Sequence, residues 1–240
     1  MKKINICILT NSKPTLFKRC INSINENIKF LNSIQRNSFN FIILCDDKSV
    51  NERQIKLNSD NLTFIEGVDK SNISENYKVL FEKSQELGEN SFTIFVNDDD
   101  FLTTGSMQLM LEAVNQHRKE SCDNYMFNYA HGYGKEFDKD FTNNFHFLKF
   151  NNHNGKTFQV KEFVKKYDDR NYQLGMLLFN NKSLDFNDFP KGEVFEDDYL
   201  LLELLTGSIK ISSKKIFQQG FKEIEEPVKK PKIKSLNDKF

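Results

Sequence analysis

The chain has no surplus of either charge: 34 Lys and Arg offset 34 Asp and Glu across 240 residues. A protein that lives on nucleic-acid phosphates ordinarily carries a basic excess or a strong basic patch, so a nucleic-acid partner is disfavoured. Cysteine is sparse, at Cys7, Cys20, Cys45 and Cys122, and no two form a CxxC pair. That spacing argues against zinc and disulfides and leaves free thiols in a reducing compartment. His117, His131, His146 and His153 match no common zinc spacing either. No early stretch forms the apolar h-region of a signal peptide, because Asn5, Thr10 and Asn11 interrupt the first apolar run. Nothing approaches the ~20 apolar residues of a membrane-spanning helix. These absences together imply a cytoplasmic protein. There is no internal repeat and no tryptophan; 24 Phe supply most of the aromatic bulk, and each can bury a large area. Heavy use of Lys, Asn, Phe and Ile fits an AT-rich coding sequence better than any one function.

What is present reads as alternating strands and helices. Ile4 to Leu9 is a short run rich in β-branched residues and predicts a buried strand. Leu16, Phe17, Cys20, Ile21, Ile24 and Ile28 then follow at helical steps, and Pro14 suits the first turn, where its missing N–H costs nothing. Phe41 to Cys45, Leu62 to Ile65 and Phe92 to Val96 predict three more strands. A helix capped by Ser74 carries Tyr77, Leu80, Phe81 and Leu87 toward Gly88, and another after Thr104 carries Met107, Met110, Leu111 and Val114. The alternation predicts an α/β fold with a doubly wound, mostly parallel sheet flanked by helices over residues 1–115. Residues 116–225 predict a mixed half of the same domain, with strands at Tyr125–Phe127 and Met176–Phe179. Helices are expected near Lys161 to Lys166 and after Glu196. The Phe-rich stretch from Phe137 to Phe158 reads as core. Residues 226–240 form a basic tail, with Lys229, Lys230, Lys232 and Lys234 solvated, or touching anionic lipid at a membrane surface or nucleic acid.

Three of the four early strands end in polar clusters. In open α/β sheets ligands bind beyond the carboxyl ends of strands, so this coincidence is the strongest signal in the sequence. Asn97-Asp98-Asp99-Asp100 supplies the oxygen ligands that Mg²⁺ or Mn²⁺ needs when it also holds substrate phosphates. A solvated acidic turn capping the next helix explains it equally well. Asp46-Asp47-Lys48-Ser49 is either an Asx turn or a carboxylate for a base N–H or ribose hydroxyls. Glu193 and Glu196-Asp197-Asp198 suit the positive end of a helix dipole, or contain a general base.

The order of these motifs resembles the family-2 glycosyltransferases of the GT-A fold. Such proteins open with a strand, a Thr/Asn loop and often a proline, to which Ile8-Leu9-Thr10-Asn11-Ser12-Lys13-Pro14 is similar. Their Asp-Asp-Gly-Ser corresponds to Asp46-Asp47-Lys48-Ser49, and their Leu-Asp-x-Asp-Asp with an apolar pair to Val96 through Leu102. Gly175 to Phe179 resembles the late strand, and Glu196-Asp197-Asp198-Tyr199-Leu200 the Glu-Asp pair that leads a helix. The resemblance spans roughly residues 4 to 206 and implies a GT-A-like domain.

By position it implies that Thr10 and Asn11 line a nucleotide pocket and that Asp46 or Asp47 meets the nucleoside. Asn97 and Asp98 then adjoin the donor. Asp99, with Asp98 and Asp100 beside it, holds Mn²⁺ or Mg²⁺, and Asp197 takes the proton of the acceptor hydroxyl. Three departures stand out: Asn97 replaces the first Asp, Lys48 replaces Gly, and no His follows His153. The implied activity is metal-dependent, inverting transfer from a nucleotide-diphosphate sugar, expected to be a UDP-sugar, to a glycan or lipid-linked acceptor. Transfer to a modified nucleic-acid base, of the phage type, and a catalytically silent nucleotide-sugar-binding module are the alternatives.

Overall fold

The computed structural model describes residues 2–10, 14–45, 56–67, 73–120, 122–131, 154–166, 174–184 and 204–219. Strand β1 (Ile4–Thr10) is followed by α1 (Pro14–Lys29), a short α2 (Ser33–Arg36), β2 (Phe39–Cys45) and β3 (Leu62–Glu66). Helix α3 (Ile73–Glu86) leads to β4 (Phe92–Asn97), β5 (Phe101–Leu102), α4 (Ser106–Glu120) and β6 (Asn124–His131). The second half adds β7 (Thr157–Gln159), α5 (Val160–Lys166), β8 (Leu177–Asn180) and β9 (Ser208–Gln219).

These strands form a single mixed sheet in the order β3-β2-β1-β4-β8-β6-β9-β5, with β7 on β9. The first four strands are mutually parallel, and β8 joins β4 antiparallel at Phe92 and Thr93. Runs such as Ile4-Asn5-Ile6-Cys7-Ile8 are buried along their whole length, as expected of parallel strands covered on both faces. Helix α1 buries Phe17, Cys20, Ile21, Ile24 and Ile28 of the stripe its sequence predicts, while Leu16 at its start is half-buried.

The structure departs from the sequence reading in several elements. The 12-residue β9 was not expected: Ile209 and Ile211 alternate with polar residues for only one cycle before Ser212-Ser213-Lys214-Lys215. Strand β2 begins at Phe39, beyond the polar Asn40 that hides the alternation. Helix α3 starts at Ile73, so Ser74 lies buried in its first turn rather than outside it, and Leu87 falls past the last turn at 39% exposure. All four cysteines are buried free thiols, and burial alone pushes the Cys7 thiol up. Among the described residues no helix is long and apolar enough to cross a membrane.

At the amino edge of the sheet the fold buries a closed set of polar side chains. Asn5 Nδ2 on β1 donates to Ser84 Oγ (2.7 Å) on α3 and Ser91 Oγ (2.8 Å) before β4. Asn181, in the 3-10 turn Asn181–Ser183 after β8, donates from Nδ2 to the same two hydroxyls, at 3.1 and 2.8 Å. Thr93 on β4 donates to Asn181 Oδ1 at 2.6 Å, Ser84 and Thr93 share a hydroxyl contact, and Ser91 donates to Gly88 O at 2.5 Å.

Candidate functional site

Strand alternation decides which side chains meet at the opposite, carboxyl edge. On β1, Asn5 and Cys7 turn toward α3, where they reach Ser84 and Leu80 O, so Thr10 faces the other side of the sheet. On β4, Thr93, Phe95 and Asn97 share the α3 face, as the contacts of Phe95 and Asn97 with Tyr77 show. Leu9 is in register with Asn97 and Thr10 with Cys45, so both faces contribute one polar group at the same level. Thr10 is fully buried, and its hydroxyl has no hydrogen-bond partner among the described residues. An orphan hydroxyl is costly in an apolar interior, and a strand end that tolerates one is a place where a ligand or water can complete it.

Beyond Asn97 the chain makes a tight turn closed by Asp100 N donating to Asn97 O at 3.1 Å. Asp98 and Asp100 are each only 2% exposed, and Asp99 is half-buried. The turn is held from both sides. Upstream it continues β4. Downstream, Leu102 N donates to Ser23 Oγ (3.0 Å) and Asn27 Nδ2 to Thr103 O (3.1 Å), both from α1. Thr103 N donates to Ile216 O (3.0 Å), tying the same segment to β9. Cys20 of α1 lies near all three carboxylates: burial raises its pKa well above the ordinary thiol range, and the charges of Asp98, Asp100 and Asp99 add to that. Arg19, one residue earlier, sets its guanidinium 5.8 Å from the Phe101 ring centroid, so a permanent cation flanks the acidic turn.

Whether the turn suits a divalent cation depends on its donor set. Its acidic groups offer only oxygen, the choice of Mg²⁺ and Mn²⁺. Two carboxylates so buried are costly unless a cation or donors compensate them. Among the described residues no three His, Cys, Asp or Glu side chains converge on one point. A cation that takes its remaining ligands from phosphate oxygens and water needs only one or two carboxylates, so the donor set fits that mode and not a closed cage.

Of the residues the sequence marks, the structure thus describes Thr10, Asn97, Asp98, Asp99 and Asp100, gathered at the ends of β1 and β4. Asn11, Asp46, Asp47 and Asp197 lie outside the described residues, as do the acidic neighbours of Asp197 and the basic tail. A surface pocket of about 380 Å³ beside Lys2, His117 and Asp123 opens at the amino edge and includes none of the marked residues.

No protein-family model matches the sequence, and no curated protein matches it. Among solved structures the chain is similar to S. aureus TarS 1–349, with a TM-score of 0.61 at 15% identity, covering 91% of this chain and 60% of that one. The same protein in complex with UDP-GlcNAc gives a TM-score of 0.61 at 15% identity over 92% of this chain and 59% of that one. Its complex with UDP gives 0.58 at 15% over 90% and 60%. The likeness is one of fold. The GT-A-like sheet expected from the sequence is the observed architecture, and the chain spans about three fifths of the length of TarS 1–349.

Sequence reasoning missed several residues that shape this edge. Tyr77 reads as one more apolar position of α3, yet its hydroxyl donates to Asn97 Oδ1 at 2.8 Å. Ser23 and Asn27 read as the polar face of α1, yet they clamp the chain that leaves the turn. Each contact spans a long sequence separation, and no local pattern announces it.

Proposed function

We propose that the protein transfers a sugar from a nucleotide-diphosphate donor, a UDP-sugar, to a hydroxyl of a glycan or lipid-linked acceptor, with inversion at the transferred carbon. The observation that carries this reading is the pair of almost fully buried carboxylates, Asp98 and Asp100, at the carboxyl end of a central parallel strand. The fold around them is similar to that of a protein crystallised with UDP-GlcNAc and with UDP. In this reading Thr10 and Asn11 line the nucleotide, and Asp46 or Asp47 accepts hydrogen bonds from its base or ribose. Asp99, with Asp98 and Asp100, holds Mn²⁺ or Mg²⁺, which when bound neutralises charge on the diphosphate leaving group. Asp197 accepts the proton of the acceptor hydroxyl as that oxygen bonds to the sugar carbon and the bond to the diphosphate breaks.

A ligand that binds only the folded chain raises its melting temperature, so a panel of nucleotide sugars with and without Mn²⁺ tests the reading directly. A rise of several degrees with one UDP-sugar, larger with metal, is the expected result; no shift with any nucleotide sugar would reject it.

Asp99→Asn keeps the shape of the side chain and removes its charge. It is expected to abolish the Mn²⁺-dependent part of UDP binding while the melting temperature stays near that of the parent. Calorimetry showing unchanged UDP affinity in the presence of Mn²⁺ would remove Asp99 from the site.

Asp46→Ala and Asp47→Ala probe the nucleoside end without metal. One of the two is expected to weaken uridine monophosphate by roughly tenfold, the range of a lost hydrogen bond to a charged group. If neither variant changes that affinity, the pair serves only as a turn.

A further inference from the structure

We infer that Tyr77 fixes the Asn97 amide so that its NH₂ group is a hydrogen-bond donor to the nucleotide, a part that an aspartate at this position could not play. This rests on the nucleotide-donor reading above. Tyr77 is 6% exposed, and its ring stands edge-on to Phe95 with centroids 5.1 Å apart and planes at 73°. Such packing leaves the ring little freedom and delivers its hydroxyl to the carboxyl end of β4. There it donates to Asn97 Oδ1 at 2.8 Å.

An amide whose carbonyl oxygen is already an acceptor is held one way round. What it turns elsewhere is the NH₂, with two protons to donate. Nδ2 makes no hydrogen bond among the described residues. The next three side chains, Asp98, Asp99 and Asp100, are carboxyl groups with no N–H to offer. Asn97 is therefore the one side-chain donor in a run of four, half-buried at the last position of its strand. An NH₂ group repels a cation, so the NH₂ side of Asn97 does not face a metal. It suits an oxygen acceptor of the ligand, either a ribose hydroxyl or a phosphoryl oxygen. Asp at this position would still accept from Tyr77, but it would present a negative oxygen where the amide presents protons.

The test uses the full chain, Tyr77→Phe and Asn97→Asp, titrated with uridine monophosphate in chelator and then with UDP and Mn²⁺. Tyr77→Phe is expected to weaken metal-free binding roughly three- to tenfold, the range of one net hydrogen bond, with little change in melting temperature. Asn97→Asp is expected to weaken it tenfold or more, and Mn²⁺ is expected to restore UDP binding by a larger factor in this variant than in the parent chain. Repeating the titrations with uridine separates the two acceptors. A loss that persists places the NH₂ at the ribose, and a loss seen only with the monophosphate places it at the phosphoryl group.

Variants that bind uridine monophosphate as tightly as the parent would overturn the inference. So would a loss of binding that merely follows the unfolded fraction. If the parent itself binds neither nucleotide, with or without Mn²⁺, the donor reading fails and this inference falls with it. That outcome differs from one in which the parent binds and the variants match it.

Discussion

Asp197→Asn is expected to bind donor as the parent chain does, to melt near the parent temperature, and to transfer sugar about 10²–10⁴-fold more slowly. The asymmetry follows from when the residue acts. Donor binding engages the nucleotide and the diphosphate, and neither has a proton to lose. In the proposed mechanism the carboxylate is required only when an acceptor hydroxyl becomes a nucleophile. Asn keeps the size and one oxygen of Asp and lacks its basicity. Glu196 and Asp198 flank it in the sequence, and the helix predicted there turns neighbouring side chains about 100° apart, so only one of the three can face the acceptor. A single-turnover assay of the three amide variants therefore assigns the base. Full activity in Asp197→Asn with loss in a neighbour moves the assignment to that neighbour. Full activity in all three takes this motif out of the mechanism.

The first half of the chain was legible because its elements are written locally. Ile6-Cys7-Ile8 and Phe41 to Cys45 are continuous apolar runs, and each ends where a polar cluster begins, so strand and site edge were read from the same few residues. The stripe of α1 repeats at helical spacing and needed no knowledge of its partners. Strand β9 was invisible for the opposite reason. Its lysines and serines carry almost no alternation, and it is a strand because β6 on one side and β5 and β7 on the other supply hydrogen-bonding edges. The acidic turn stands out in the sequence as a polar strand end, but what holds it does not. Ser23 and Leu102, or Asn27 and Thr103, are neighbours only after the chain has folded. Tyr77 illustrates the same limit within one side chain: its ring follows the apolar pattern, while its hydroxyl acts on a strand end 20 residues away. Asn5 read as an interruption of an apolar run, and it became the centre of a buried network.

That network carries the largest expected effect on stability. Asn5 and Asn181 each spend both amide protons on the same two hydroxyls, Ser84 Oγ and Ser91 Oγ. Ser91 passes its own proton to Gly88 O, and Thr93 passes its proton to Asn181 Oδ1. With Thr93 committed as a donor there, the contact between Ser84 and Thr93 is satisfied only when Ser84 donates. Every proton in the set then has an acceptor, an arrangement that stabilises when complete and is costly when one member is removed.

Asn181→Ala deprives Thr93 of its acceptor and two serines of a donor, and is expected to lower unfolding free energy by about 3 kcal/mol. Asn181→Asp is nearly the same size, yet it is expected to cost more than Ala. It keeps an acceptor for Thr93, offers no proton to Ser84 or Ser91, and buries a negative charge. Burial raises the pKa of such a carboxyl above its unfolded value, so its deficit is smallest at low pH, where it is protonated in both states. The deficit grows as pH rises through the unfolded value toward the raised one. Denaturant titrations at pH 5 and pH 8 read both effects. An Asp variant more stable than Ala at pH 8 would show that proton matching is not what holds this edge. Asn5 lies about 16 Å along β1 from Thr10 at the usual rise per residue. Nucleotide affinity per folded molecule is therefore expected to stay unchanged in both Asn181 variants, even as the fraction folded drops.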